Sequence, residues 1–248
     1  MSGHSKWATI KHKKGAVDKA RAKIFNKIAR QLEVAAREGG GDSSTNASLR
    51  TVMLKAKAAS MTNDAIDRAI KRGTGEGNGG VYESIMYEGY APGGVALMID
   101  VLTDNRNRTG AEVRNVFSKL GGSMAEPGAV GWQFQRRGVI HLEGGDEDSV
   151  MLSALEAGAD DVSGDGIGWR VLCDSSALYE VRDALQAAGF AVESAESAMV
   201  ADASVEVTDA EDARKILRIM DALEDNDDVQ DVFSNFDISE ALMEAVSA

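Results

Sequence analysis

The sequence predicts a multidomain α+β protein: a helical N-terminal unit followed by two ferredoxin-like α/β sandwich domains, one inserted in the other. Three observations lead there. Apolar residues recur at three- and four-residue steps from Val17 to Ala35 and stop at Gly39, Gly40 and Gly41, the mark of an amphipathic helix with an abrupt end. Beyond residue 95, short apolar runs alternate with helical stretches, as in layered sheet-and-helix folds. A chain of 248 residues with 44% hydrophobic content suits two or three small cores better than one large one.

The elements follow in order. Residues 1–14 form a polar, basic arm. In the helix that follows, Val17, Ala20, Ile24, Ile28, Leu32 and Ala35 share one face, while Lys19, Lys23, Lys27, Arg30 and Arg37 gather on the opposite one. A second helix starts after Asn46 and buries Leu49, Val52, Met53 and Ala56; a third starts near Thr62 and buries Ile66, Ala69 and Ile70. The glycine-rich run 74–80 reads as a linker that closes a basic helical domain, residues 1–80.

Val95–Leu102 is a predicted strand, and Thr109–Leu120 a helix opened by the capping box Thr109-Gly-Ala-Glu112. Residues 123–134 hold a further strand. Gly138–Leu142, Asp146–Ala157, Asp160–Ser163, Gly168–Cys173, Ser175–Ala188 and Phe190–Ala195 then give the order βαββαβ, the split ferredoxin-like unit. A strand at Ser204–Val207, a helix at Ala210–Leu223 and a strand at Val229–Phe236 make only half a sandwich. Residues 81–136 and 203–248 are therefore read as one discontinuous domain, with 137–202 inserted into it.

Charge is segregated along this plan. Residues 1–80 hold 16 Lys and Arg against 7 Asp and Glu, net +9; the other 168 residues are net −22, which together give the chain's −13. Such asymmetry marks a separate surface for a polyanionic partner. In the arm, Lys6, Lys11, Lys13 and Lys14 stand among His4, His12 and Trp7, and Lys19, Lys23, Lys27 and Arg30 continue the bias along the helix. Lysines neutralise phosphates and an exposed indole stacks on an unpaired base, although Trp7 is equally suited to anchoring the arm on the helices. Arg106 and Arg108 precede the helix start and suit an anion contact; a plain polar turn made by Asp104 and Asn105 is the alternative. The helix pair around Ser60–Thr62 has helix-turn-helix spacing, but it leads with Asp64 and Asp67, which phosphates would repel. It is read as structural support.

Other classes are disfavoured. His4, His12 and His141 form no catalytic or zinc constellation with the single Cys173, which is assigned to a core strand, so neither an enzyme nor a cofactor or metal site is expected. Glu224–Asp228 lacks the central Gly of a calcium loop and reads as a solvated turn. No apolar run reaches membrane-spanning length and no signal peptide is visible, so a cytoplasmic protein with no membrane partner and no small-molecule substrate is expected.

Gly3-His-Ser-Lys-Trp7, Ile10-Lys11, Gly39-Gly-Gly-Asp42, Tyr87-Glu-Gly-Tyr90, Thr103-Asp-Asn-Arg-Asn-Arg-Thr109, Phe117-Ser-Lys119, Leu155-Glu-Ala-Gly-Ala159 and Asp221-Ala-Leu-Glu-Asp225 together resemble the YebC family over essentially the whole chain. The family's Asp-Pro after the glycines is Asp42-Ser43 here, and its Gly-Ser-Val step is Gly128-Ala-Val130. The resemblance implies one helical and two α+β domains. It also implies a regulator of gene expression, since members are described as DNA-binding transcriptional regulators, as mitochondrial translational activators and as ribosome-associated factors that relieve stalling. Nucleic acid, as ribosomal RNA or DNA, and the ribosome are thus the expected partners. A protein-interaction adaptor is the further alternative.

Overall fold

The computed structural model describes residues 17–75, 81–164 and 168–247. The helical unit comprises α1 (Val17–Gly39), α2 (Ala47–Ala58) and α3 (Asn63–Gly73). Its core joins Ile28, Leu32, Ala35 and Ala36 of α1 to Leu49 and Ala56 of α2 and to Ile66 and Ala69 of α3. The predicted apolar stripe is interrupted at Ile24, which is 44% exposed and belongs to no cluster of the described residues.

Two buried polar side chains fix this bundle. Asn46 caps α2 by accepting from the Leu49 N–H, and its amide donates to the carbonyls of Ala35 and Gly40 at the end of α1. Glu33 of α1 accepts from Arg37 one turn on and from Arg72 of α3. A Cβ at Gly73 would lie 2.3 Å from the Glu33 carbonyl oxygen, so only glycine lets α3 approach α1 this closely.

The remaining elements are β1 (Glu83–Tyr90), β2 (Ala96–Thr103), α4 (Arg106–Leu120), β3 (Ser123–Ala125), β4 (Phe134–Glu143), α5 (Glu147–Glu156), β5 (Asp161–Gly164), β6 (Gly168–Asp174), α6 (Leu178–Ala187), β7 (Ala191–Ala201), β8 (Val205–Val207), α7 (Ala210–Glu224), β9 (Val229–Ser234), β10 (Phe236–Ile238) and α8 (Glu240–Ser247). One antiparallel sheet has the order β3-β1-β2-β9, so strands from either side of the 134–201 segment pair directly, Leu97 opposite Ser234. A second antiparallel sheet, β5-β6-β4-β7, lies wholly within that segment. Counted within it, the strand order is 2-3-1-4, the ferredoxin-like arrangement. β8 and β10 form a short parallel pair.

Alternation along β2 gives the first sheet two buried faces. Leu97, Ile99 and Val101 meet Val113 and Phe117 of α4 and Ile216, Ile219 and Met220 of α7. Ala96 and Met98 point the other way, into a cluster with Val130, Phe134 and Phe233 that Ala198, Met199 and Ala201 of β7 close. In the second sheet, Ile140, Leu142, Val171 and Cys173 pack beneath Val150 and Ala154 of α5 and Val181 and Leu185 of α6. Cys173 is buried there, and burial raises its thiol pKa, as befits a packing residue.

Three local features differ from expectation. α4 starts at Arg106, not at Thr109: Asn105 is the cap, accepting from the Arg108 N–H at 3.1 Å, and Thr109 is buried inside the first turns. Asn is as good a cap as Thr, and the Thr109 hydroxyl is engaged elsewhere. β1 was not anticipated, because Glu83, Ser84, Glu88 and Gly89 hide its apolar alternation. α8 adds a short helix that places Met243 against α7 and the first core.

Candidate nucleic-acid interface

Of the residues picked out in the sequence, His4, Lys6, Trp7, Lys11, His12, Lys13 and Lys14 lie outside the described residues, as does the side chain of Lys19. Lys23, Lys27, Arg30, Arg106 and Arg108 can be placed. The first three occupy positions i, i+4 and i+7 on α1 and so form one row.

That row meets the end of α7. Lys23 Nζ donates to the Asp225 carboxylate at 2.8 Å and to its carbonyl at 3.2 Å. Lys27 Nζ donates to the Glu224 carbonyl at 2.8 Å. Arg30 Nη1 donates to the Asp227 carbonyl and to Asp228 Oδ1, at 2.8 and 2.7 Å. A helix C-terminus exposes unpaired carbonyls at the negative end of its dipole, and α7 has no basic residue of its own in its last turn. The cations that cap it come from a helix about 200 residues earlier in the chain.

Beneath this contact Asp228 is a buried hub. Its Oδ2 lies 2.5 Å from Arg108 Nη2, 2.7 Å from the Thr109 hydroxyl and 3.0 Å from that of Thr103. Burial opposes its ionisation, yet these bonds and that of Arg30 outweigh the penalty and lower its pKa to about 2. Arg108 also pairs with Asp104 at 2.9 Å, and its own pKa is raised, first by the bond to Asp228. Arg108 therefore holds a carboxylate of its own chain.

Arg106 is different. Its side chain is 64% exposed, with Glu83 3.5 Å away. It borders an open cleft with Tyr87, Asn107, Arg114 and Glu126. Glu88 also lines that cleft and accepts from the N–H groups of Gly128, Val130 and Gly131, and these bonds override the burial that opposes its charge. Because the contact uses backbone, Ala in place of Ser at position 129 leaves it intact.

The sequence reading missed Asp228 and treated Glu224–Asp228 as solvated. Asp228 is 4% exposed, and its neighbours receive three cations from α1. The available signal was an acid run with no cation within it, and a row of cations at Lys23, Lys27 and Arg30 with no acid between them. A second contact joins the same units: Lys55 of α2 approaches Asp231 at 3.7 Å. Asp231 faces half-buried Asp100, whose pKa is raised by burial and by Asp231, against the pull of Arg136 and Lys55. Among the described residues no group of three or more His, Cys, Asp or Glu is arranged to hold a metal, and no helix is long and apolar enough to cross a membrane.

These features define a multidomain α+β protein whose basic helical unit is seated through ion pairs on an acidic body of two sandwiches. The chain belongs to the TACO1/YebC family. Residues 5–76 match the TACO1/YebC protein N-terminal domain and residues 82–236 the TACO1/YebC second and third domain. A probable transcriptional regulatory protein of Halothermothrix orenii is 52% identical over 251 residues, covering 100% of this chain and 99% of the relative. One from Shewanella oneidensis is 52% identical over 248 residues, covering 99% and 100%. The crystal structure of a conserved hypothetical protein from Aquifex aeolicus matches with a TM-score of 0.84 at 43% identity, over 95% of this chain and 98% of that one.

Proposed function

We propose that this protein is a non-enzymatic regulator of gene expression that associates with the ribosome and relieves stalling, holding ribosomal RNA through its N-terminal arm and helical unit. The observation that carries this reading is the segregation of charge, net +9 over residues 1–80 against −22 over the rest. A cationic unit on an acidic body binds a phosphate backbone while the body discourages indiscriminate coating. The geometry of α1 is in keeping with it: Lys23, Lys27 and Arg30 all seek anionic or carbonyl oxygens. α3, the second helix of the pair with helix-turn-helix spacing, leads with Asp64, which the phosphates flanking a major groove would repel.

Co-sedimentation with ribosomes across a salt series tests it. The wild-type protein is expected in the ribosomal pellet at low salt. The quadruple variant Lys11→Glu, Lys13→Glu, Lys14→Glu, Lys23→Glu is expected in the supernatant. A wild-type protein that stays soluble at both low and moderate salt overturns the reading. A second reading, a DNA-binding transcriptional regulator, is favoured by the relatives, which are named probable transcriptional regulatory proteins. It requires retention of a promoter fragment against excess unrelated DNA.

A further inference from the structure

We propose that the Glu224–Asp228 turn is an internal stand-in for a phosphodiester backbone, masking the α1 row until RNA displaces it. The inference rests on the nucleic-acid reading above and adds a regulated state to it. Three observations carry it.

First, the turn offers α1 the same chemistry that a nucleic-acid strand offers. Carbonyl oxygens of Glu224, Asp225 and Asp227 and the carboxylates of Asp225 and Asp228 take all the bonds described for Lys23 Nζ, Lys27 Nζ and Arg30 Nη1. The row spans roughly 10 Å along α1, at 1.5 Å per residue. A base-stacked strand advances about 3.4 Å per phosphate along the helix axis and would place some three charges over that length.

Second, the contact between the units is polar. The apolar core of the helical unit draws only on residues 25–70 and shares no member with the other cores. What joins the units are the α1 row, the Lys55–Asp231 pair and Arg30 stacked 5.7 Å over the Tyr82 ring. Lys23 and Asp225 are 41% and 79% exposed, so salt and competing anions reach them. Among the described residues, the hydrophobic clusters of the two units share no member, so the helical unit can leave without opening either core.

Third, the socket survives the departure of its occupant. Without Arg30, Asp228 keeps Arg108, Thr103 and Thr109. The acid turn is held by the central sheet whether or not α1 is seated on it. Release therefore exchanges one set of oxygens for another and leaves both folds intact.

The test measures binding of a fluorescein-labelled 20-nucleotide oligouridylate by anisotropy from low to moderate salt. It compares the wild type, Asp225→Lys, and a charge-matched control, Asp148→Lys, on the exposed start of α5. Asp225→Lys places a like charge opposite Lys23 and should unseat α1. It is expected to bind at least fivefold more tightly than Asp148→Lys. Its salt dependence should steepen by about two in log–log slope, at ~0.7 per phosphate for three freed cations. Hydrogen exchange of wild-type residues 221–228 is expected to accelerate when the oligonucleotide is added. Equal affinity for Asp225→Lys and Asp148→Lys, with unchanged exchange at 221–228, overturns the masking while leaving RNA binding in place. If none of the three proteins binds at low salt, the nucleic-acid reading falls and the masking falls with it.

Discussion

The first sheet carries two neighbours and holds them by different means. Toward the second sheet it places Ala96, Met98 and Phe233, which close with Phe134, Val130 and Met199 into an apolar cluster. Toward the helical unit β9 places Asp231 and the turn leading into β9 places Asp225 and Asp228, which meet Lys55, Lys23 and Arg30. Apolar burial is strong, undirected and little affected by screening; of the ion pairs, Lys23–Asp225 and Lys55–Asp231 are exposed, and such pairs are weak, directional and screened. One junction buries apolar side chains between the two sandwiches, and the other joins the helical unit through charged groups.

The contrast can be broken at either junction. Phe134→Ala removes the ring at the centre of the apolar junction and is expected to cost about 3 kcal/mol, measured by denaturant unfolding. The loss should be the same at 50 and at 500 mM salt, to the order of measurement error. A strongly salt-dependent loss would erase the distinction drawn between the junctions.

Asp228→Asn acts where the ionic contact meets the core, and about 2 kcal/mol is expected at neutral pH, because Arg108 loses its buried partner. The pH dependence follows from the depressed pKa. Ionised Asp228 contributes fully above its ordinary 3.8, and the contribution disappears as pH falls through about 2. The difference between wild type and Asp228→Asn should therefore shrink between those values in an acid titration of unfolding. A gap that stays constant across that window would mean that Asp228 acts by shape rather than by charge.

The smallest effect is expected for Lys23→Ala, below about 0.5 kcal/mol at low salt and vanishing at high salt. Thermal unfolding at the two ionic strengths measures it. A larger, salt-independent loss would show that the helical unit is seated by packing.

The same contrast explains how much the sequence reveals. The periodicity of Ile28, Leu32 and Ala35, and the apolar runs of β2 and β4, report local burial and can be read directly. The cationic face of α1 was visible for the same reason. Its partner was not, because Lys23 and Asp225 are 202 residues apart and no local pattern joins them. Asp228 was hidden more deeply, as one acid among four between Glu224 and Asp228 and distinguished only by burial. The start of α4 was misplaced because Asn105 and Thr109 are both competent caps, and only the tertiary bond from Thr109 to Asp228 decides between them.

The pairing of Phe134 with Ala201 has a consequence for how the chain is made. β2 cannot acquire its neighbour β9 until residue 234 has been synthesised, so the first sheet waits with an open edge. The second sheet draws on residues 134–201 alone and can close first. When it does, its own two ends become neighbours, and a span of nearly seventy residues shrinks to the width of a strand pair. The late search of β9 for β2 then runs over a short tether, which lowers the entropy of closure and shortens the exposure of that edge.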